Sequence, residues 1–116
     1  MIEVRDDADV QQAFRTGRFL LFKHSTRCGT SLRAYREVEA FEALGGEVPV
    51  FLVDVISQRS LARDLAERLG VRHASPQVIL VSGDRPVWSA SHGRIRADVL
   101  RAQTTSLPDG GGVERG

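Results

Sequence analysis

The sequence predicts an α/β domain whose four-stranded mixed sheet is flanked by helices. Two short and mostly apolar segments, residues 19–23 and 48–55, are typical of strands buried on both faces. Residues 77–81 and 86–91 are expected to form a third and a fourth strand, joined as a hairpin by the polar turn 82–85. A strand–helix–strand unit followed by a hairpin and a last helix produces a mixed sheet with helices on its faces.

The first two helices follow from hydrophobic spacing and stop signals. Residues 7–16 begin with acidic side chains and end at Gly17, so they are expected to form a helix before the first strand. Residues 32–44 carry Ala34, Val38 and Phe41 on one face and end at a glycine pair. This second helix connects the first two strands.

Two further helices are expected in the second half of the chain. Ser57 is the predicted N-cap of a helix that ends at Gly70 and has an apolar stripe of Leu61, Ala62, Leu65, Ala66 and Leu69. The spacing of Ile95, Val99 and Ala102 predicts a final helix. We expect the domain to occupy residues 1–103 and residues 104–116, rich in glycine, to form a flexible tail.

Composition excludes several classes of protein. The 116 residues suit one domain, and 16 basic against 15 acidic side chains argue against nucleic-acid binding. The longest apolar runs are four residues, far below the roughly 20 of a membrane span, and the N-terminus does not resemble a signal peptide. We therefore expect a cytoplasmic protein, a monomer or weak dimer, without membrane or nucleic-acid partners.

The chain has a single cysteine, Cys28, at a position that favours reactivity. One cysteine excludes an internal disulfide and zinc sites built on several thiolates. Cys28 follows a buried strand and precedes a helix, and a helix N-terminus stabilises a thiolate over a thiol. Arg27, and more loosely Lys23 and His24, would act in the same direction if they face the sulfur. The alternative is an inert, buried structural cysteine.

The three residues that follow Cys28 complete the candidate site for stabilising the thiolate. Gly29, Thr30 and Ser31 lie at the mouth of the predicted helix and, with Arg27, are the candidates for stabilising the thiolate. The Ser31 hydroxyl could cap the helix or donate a hydrogen bond to the sulfur, at the place where a dithiol enzyme has its second cysteine. An ordinary first-turn serine is the alternative.

The order of strand, cysteine, helix and proline is the thioredoxin-fold pattern. In that fold, the proline before the third strand is cis and faces the active cysteine, and the preceding residue offers its backbone to an extended substrate. Pro76 and Ser75 occupy these positions and are the predicted substrate-binding residues. An ordinary proline at the start of a strand is equally consistent with the position.

The other ring side chains are assigned no chemical role. The three histidines share no spacing with one another or with carboxylates, so no metal site is expected. His92 is interpreted as a surface histidine without a chemical role, and His24 and His73 are treated with the same caution. Tyr35 and Trp88 are expected to pack in the core.

Three separated segments resemble the monothiol bacilliredoxins, the YtxJ-like family. They are residues 22–28 (FKHSTRC) with Ser31 and residues 34–37 (AYRE), residues 66–78 (AERLGVRHASPQV), and residues 87–92 (VWSASH). They occur in the family's order and span roughly residues 19–100. The resemblance implies a thioredoxin-like bacterial cytoplasmic protein that works with the small thiol bacillithiol.

The resemblance also implies roles for particular residues. Cys28 is then the nucleophile that removes bacillithiol from protein mixed disulfides, and Pro76 is the cis proline. Bacillithiol is a co-substrate, the bacillithiolated proteins are the partners, and no cofactor is required. With no second cysteine, an external thiol or reductase must complete the cycle.

One departure from the family keeps a second function open. The family usually has Cys-Pro-x-Ser, whereas residues 28–31 read Cys-Gly-Thr-Ser. This motif is similar to the Cys-Gly-Phe-Ser of monothiol glutaredoxins, which hold iron–sulfur clusters with glutathione. The alternative is therefore a [2Fe–2S] carrier or sensor in which Cys28 and a borrowed thiol ligate the cluster.

Overall fold

The polypeptide forms a mixed β-sheet covered by helices on both faces. The structure is a computed structural model and describes residues 1–26 and 29–105. The elements are β1 (Ile2–Glu3), α1 (Asp7–Arg15), β2 (Arg18–His24), α2 (Gly29–Ala43), β3 (Val50–Asp54), α3 (Arg59–Leu69), β4 (Gln77–Ser82), β5 (Arg85–Ser91), a 3₁₀ helix (His92–Arg94) and α4 (Ala97–Thr105).

The sheet has the order β1-β3-β2-β4-β5 within the described part of the chain. β3 pairs in parallel with β1 and β2, whereas β4 runs antiparallel to β2 and β5. The predicted α/β class and the mixed sheet flanked by helices are confirmed. The predicted hairpin is β4–β5, with Ser82 paired with Arg85.

The predicted number of four strands is wrong, because the structure has a fifth strand, β1. This strand is only two residues long, and Ile2 pairs with Phe51 of β3. The backbone N–H of Val4 continues the contact by donating to the Leu52 carbonyl at 2.8 Å. A two-residue edge strand with both side chains exposed has no hydrophobic period, so pattern reading misses it.

Several helix boundaries also differ from the prediction. α2 begins at Gly29, three residues early, and α3 has Gln58 at its N-cap where Ser57 was predicted. α4 buries Leu100 and Thr104, whereas Ala102 is exposed. Thr104 was assigned to the tail, but its hydroxyl donates to the Leu100 carbonyl within the helix. Thr105 is the last residue of α4, and residues 106–116 of the predicted tail lie outside the described residues.

Two apolar cores lie on opposite faces of the sheet. One packs α1 and α3 against Phe19 and Leu21 of β2, and the other packs α2 and α4 against Leu20 and Phe22. Successive side chains of a strand point to opposite faces, which is why the two sets alternate. The same alternation continues to the end of β2 and separates the last two side chains, Lys23 and His24.

Candidate functional site

The candidate site lies at the carboxyl ends of β2 and β3, next to the start of α2. β2 ends at His24, β3 ends at Asp54, and α2 begins at Gly29. In open α/β sheets this edge is where ligands bind. Arg27 and Cys28, between Thr26 and Gly29 in the sequence, lie outside the described residues. Their predicted roles as thiolate stabiliser and nucleophile therefore stay predictions.

Ser31 is fully buried and holds the segment before α2 in place. Its Oγ accepts the backbone N–H of Ser25 at 2.9 Å and lies 3.1 Å from His24 Nδ1. The hydroxyl thus binds two residues of the segment before α2. Gly29 and Thr30 are exposed in the first turn. A contact of any of the three with sulfur stays a prediction.

The state of the His24 ring determines what the Ser31 hydroxyl can do. When Nδ1 carries no proton, the Ser31 O–H donates to it and is occupied. When Nδ1 carries the proton, it donates to Ser31 Oγ, and the hydroxyl proton becomes free to donate elsewhere. The protonation state of His24 Nδ1 therefore determines whether the Ser31 hydroxyl, one of the candidate thiolate stabilisers, is free to donate.

His24 is enclosed by aromatic rings. It is 8% exposed, and its ring centroid lies 5.4 Å from that of Phe22 and 5.1 Å from that of Tyr35. Burial lowers the pKa of His24, and the charge of Asp54 opposes this shift. The signal in the sequence was the alternation of β2, which places His24 on the same face as Phe22.

An acidic cavity of about 680 Å³ opens beside His24. We call it the His24 cavity. Its lining residues come from β1, β2, β3, α2 and the loop before α2, and they are Met1, Glu3, His24, Ser25, Thr26, Gly29, Leu32, Tyr35, Leu52 and Asp54. Its acidic side chains are Glu3 and Asp54, and the Met1 ammonium group in the lining is paired with Glu42 at 2.8 Å. The cavity reaches the first residue of α2, so it adjoins the segment that contains Cys28 in the sequence.

Lys23 points to the opposite face and is fully buried. Its Nζ lies 3.3 Å from Nδ1 of His73, which precedes the proline segment. Among the described residues, no carboxylate lies within ion-pair distance of this ammonium group. Burial lowers the pKa of Lys23 to about 8. The pKa of His73 is also lowered, by burial and by the charges of Lys23 and Arg63.

The proline segment lies at the start of β4. The Ser75–Pro76 peptide bond is cis, which is the geometry that the resemblance implies. The Pro76 carbonyl accepts the His92 N–H at 3.1 Å, and the Gln77 side chain donates to the Arg72 carbonyl at 2.9 Å. These bonds hold the segment from both sides. Substrate binding by Ser75 and Pro76 stays a prediction.

Residues 1–26 and 29–105 contain neither a cluster of metal ligands nor a helix that could span a membrane. Across these ranges, no group of three or more histidine or acidic side chains is arranged to hold a metal ion. The alternative function of a [2Fe–2S] carrier or sensor depends on Cys28, which lies outside these ranges, and stays a prediction. None of the described helices has the length and apolar character needed to cross a membrane.

Solved structures with this architecture are thioredoxin-fold proteins. A protein described as a candidate oxidoreductase with a thioredoxin fold aligns with a TM-score of 0.82 and 25% identity, over 90% of this chain and 93% of its own. Thioredoxin from Fasciola hepatica aligns with a TM-score of 0.72 and 20% identity, over 90% and 97% of the two chains. Trxlp from Edwardsiella tarda aligns with a TM-score of 0.71 and 20% identity, over 91% and 100% of the two chains.

The fold and the position of the site thus define a protein of the thioredoxin-fold oxidoreductase class. The family of the monothiol bacilliredoxin BrxC matches residues 2–100. The chain belongs to the monothiol bacilliredoxin family, as the three sequence segments predicted. Family and fold together support thiol oxidoreductase chemistry.

Proposed function

We propose that the protein removes bacillithiol from protein mixed disulfides through Cys28. The observation that carries the proposal is that a monothiol bacilliredoxin family match spans residues 2–100 of a chain with one cysteine. The co-substrate is the small thiol, the partners are bacillithiolated proteins, and the compartment is the cytoplasm, where thiols are kept reduced.

The reaction is a thiol–disulfide exchange. The Cys28 thiolate attacks the bacillithiol sulfur of the mixed disulfide, a new S–S bond forms, and the bond to the protein sulfur breaks. The protein thiolate leaves and takes a proton from water. Bacillithiol then remains on Cys28, and a second thiol must attack this disulfide to return Cys28 to its reduced state.

The surroundings of α2 support this chemistry. A helix N-terminus favours the thiolate. Ser31 lies in the first turn of α2, and the protonation state of His24 determines where its hydroxyl group can donate. The His24 cavity offers space for a ligand next to Gly29, at the edge of the sheet where ligands bind.

Intact mass spectrometry tests the proposal directly. A model protein carrying bacillithiol on one cysteine is mixed with the wild-type chain and, separately, with a Cys28→Ser variant. We expect the wild type to gain the mass of one bacillithiol while the model protein loses it, and the variant to leave the model protein unchanged. Oxidised glutathione in a parallel reaction measures the preference between the two small thiols.

Two results would overturn the proposal. The first is the absence of any adduct on the wild-type chain. The second is a dimer with visible charge-transfer bands after anaerobic reconstitution with iron and sulfide, combined with no removal of bacillithiol, which would favour the [2Fe–2S] carrier.

A further inference from the structure

A second cavity, of about 410 Å³, lies on the Lys23 side of the sheet. We call it the basic pocket. It is lined by Val55, Ile56, Arg59, Ala62, Arg63 and His73. Every charged group in this lining is cationic, whereas Glu3 and Asp54 line the His24 cavity. The two cavities at the end of β2 therefore differ in the sign of the charge that they would attract.

Lys23 supplies a buried cation behind this pocket. Its Nζ contacts the ring of His73, which is itself part of the lining. A buried ammonium group is normally paired with an anion, because leaving a charge unpaired in the protein interior is unfavourable. The partner found among the described residues is a histidine ring, which cannot neutralise the charge.

The start of α3 adds to the positive potential. Gln58 at the N-cap makes no hydrogen bond from its side chain to the first turn, and that turn contains Arg59 and no acidic residue. The partial positive charge of the helix N-terminus is therefore not compensated by a side chain at this end. Cationic side chains and helix terminus converge on one small concave space.

We propose that the basic pocket binds a carboxylate group of the small thiol that reacts at Cys28, an inference that rests on the proposed function. Lys23 lies five residues before Cys28 in the sequence, and His73 lies three residues before Pro76. His73 lines the pocket and contacts Lys23, so the pocket adjoins the segments that lead into both predicted halves of the thiol site. Its size suits a small group and not a folded partner.

The first test compares two disulfides that differ only in charge, 3,3′-dithiodipropionate and its diamide. Their rate constants with Cys28 are measured at low ionic strength and divided by those with free 2-mercaptoethanol, which corrects for intrinsic reactivity. We expect the wild type to prefer the carboxylate form. In Arg63→Gln this preference falls by about threefold or more, while the rate with the diamide is retained.

The matched control is Arg101→Gln. Arg101 is also an exposed helical arginine, but it lies on α4, which packs against the other face of the sheet. Both variants lose one positive charge, so a difference between them reports location and not net charge. Equal preferences in Arg63→Gln and Arg101→Gln, or no preference in the wild type, would overturn the inference. Reaction of the diamide would still leave the proposed function standing.

The second test does not need a reactive Cys28. Malonate is titrated into the Cys28→Ser protein while the His73 ring resonances are followed by NMR. A saturable shift that is lost in the Cys28→Ser, Arg63→Gln double variant supports the pocket. No saturable shift, or tighter binding of inorganic phosphate than of malonate, would overturn the assignment to a carboxylate.

Discussion

Lys23 and His24 are neighbours in β2, yet they end in chemically opposite surroundings. His24 lies among Phe22, Tyr35 and Ser31 beside a cavity lined by Glu3 and Asp54. Lys23 contacts His73 beside a pocket lined by two arginines. The strand's period of two places consecutive residues on opposite faces, so one strand end can supply two sites of opposite charge.

The buried charge of Lys23 is less well compensated by its surroundings than a charge on His24 would be. Burial lowers the pKa of both side chains. On the His24 side, however, the loss of solvation is opposed by the negative charge of Asp54. On the Lys23 side, burial lowers the pKa, and no carboxylate among the described residues pairs with the ammonium group. At neutral pH, burial of Lys23 should therefore lower the free energy of unfolding more than burial of His24 does.

The largest expected effect is a gain of stability in Lys23→Met, studied in a Cys28→Ser background. Methionine keeps the apolar stem and removes the buried charge, so we expect the free energy of unfolding to rise by about 1–3 kcal/mol at pH 7. Urea denaturation measures it.

The pH dependence of that gain checks its cause. The pKa of Lys23 is about 8 in the folded state and 10.5 ordinarily. Between these values the unfolded state binds more protons, so the stability of the wild type rises with pH. The difference between wild type and Lys23→Met should therefore be full below pH 8 and shrink towards pH 10. A difference that grows over this range would contradict the explanation.

On the His24 side, Ser31→Ala should reduce the free energy of unfolding by about 1–2 kcal/mol. The Ser25 N–H loses its acceptor, and the His24 ring loses a partner. Chemical denaturation measures the loss. Ser60→Ala, in the first turn of α3 and exposed, is the matched control and should change stability by less than about 0.5 kcal/mol. Equal effects of the two substitutions would show that the buried bonds contribute nothing.

A smaller effect concerns stability in acid. Because the pKa of His24 is lowered in the folded state, the unfolded state binds more protons as the pH falls below about 6.5. Stability should therefore decrease from pH 7 to pH 5, and His24→Phe should reduce this decrease. Denaturation midpoints at the two pH values test it. A slope unchanged in the variant would assign the acid sensitivity to other groups.

The smallest effects are changes in the two histidine pKa values, measured by NMR titration. Asp54→Asn removes the charge that raises the pKa of His24, so this pKa should fall while that of His73 stays constant. Arg63→Gln removes a charge that lowers the pKa of His73, so this pKa should rise while that of His24 stays constant. Asparagine keeps an oxygen for the Ile56 N–H that Asp54 binds. If the pKa values of both histidines change in either variant, the electrostatic surroundings of His24 and His73 are not independent.

Most of the fold could be predicted from local patterns. The apolar runs of β2 and β3 and the stripe of α3 need no distant partner to be recognised. The final helix was predicted from Ile95, Val99 and Ala102, but Ile95 is buried before α4 begins and Ala102 is exposed. β1 was missed because its stability comes from pairing with β3 and not from its own side chains.

By itself, the sequence determined the α/β class, the family and the identity of the one thiol, because these depend on hydrophobic period, motif order and composition. Only the tertiary structure decided the surroundings of Lys23 and His24. Which charges gather around a side chain depends on segments far apart in the chain: Glu3 and Asp54 on one face, Arg63 and His73 on the other. No local pattern contains these distances.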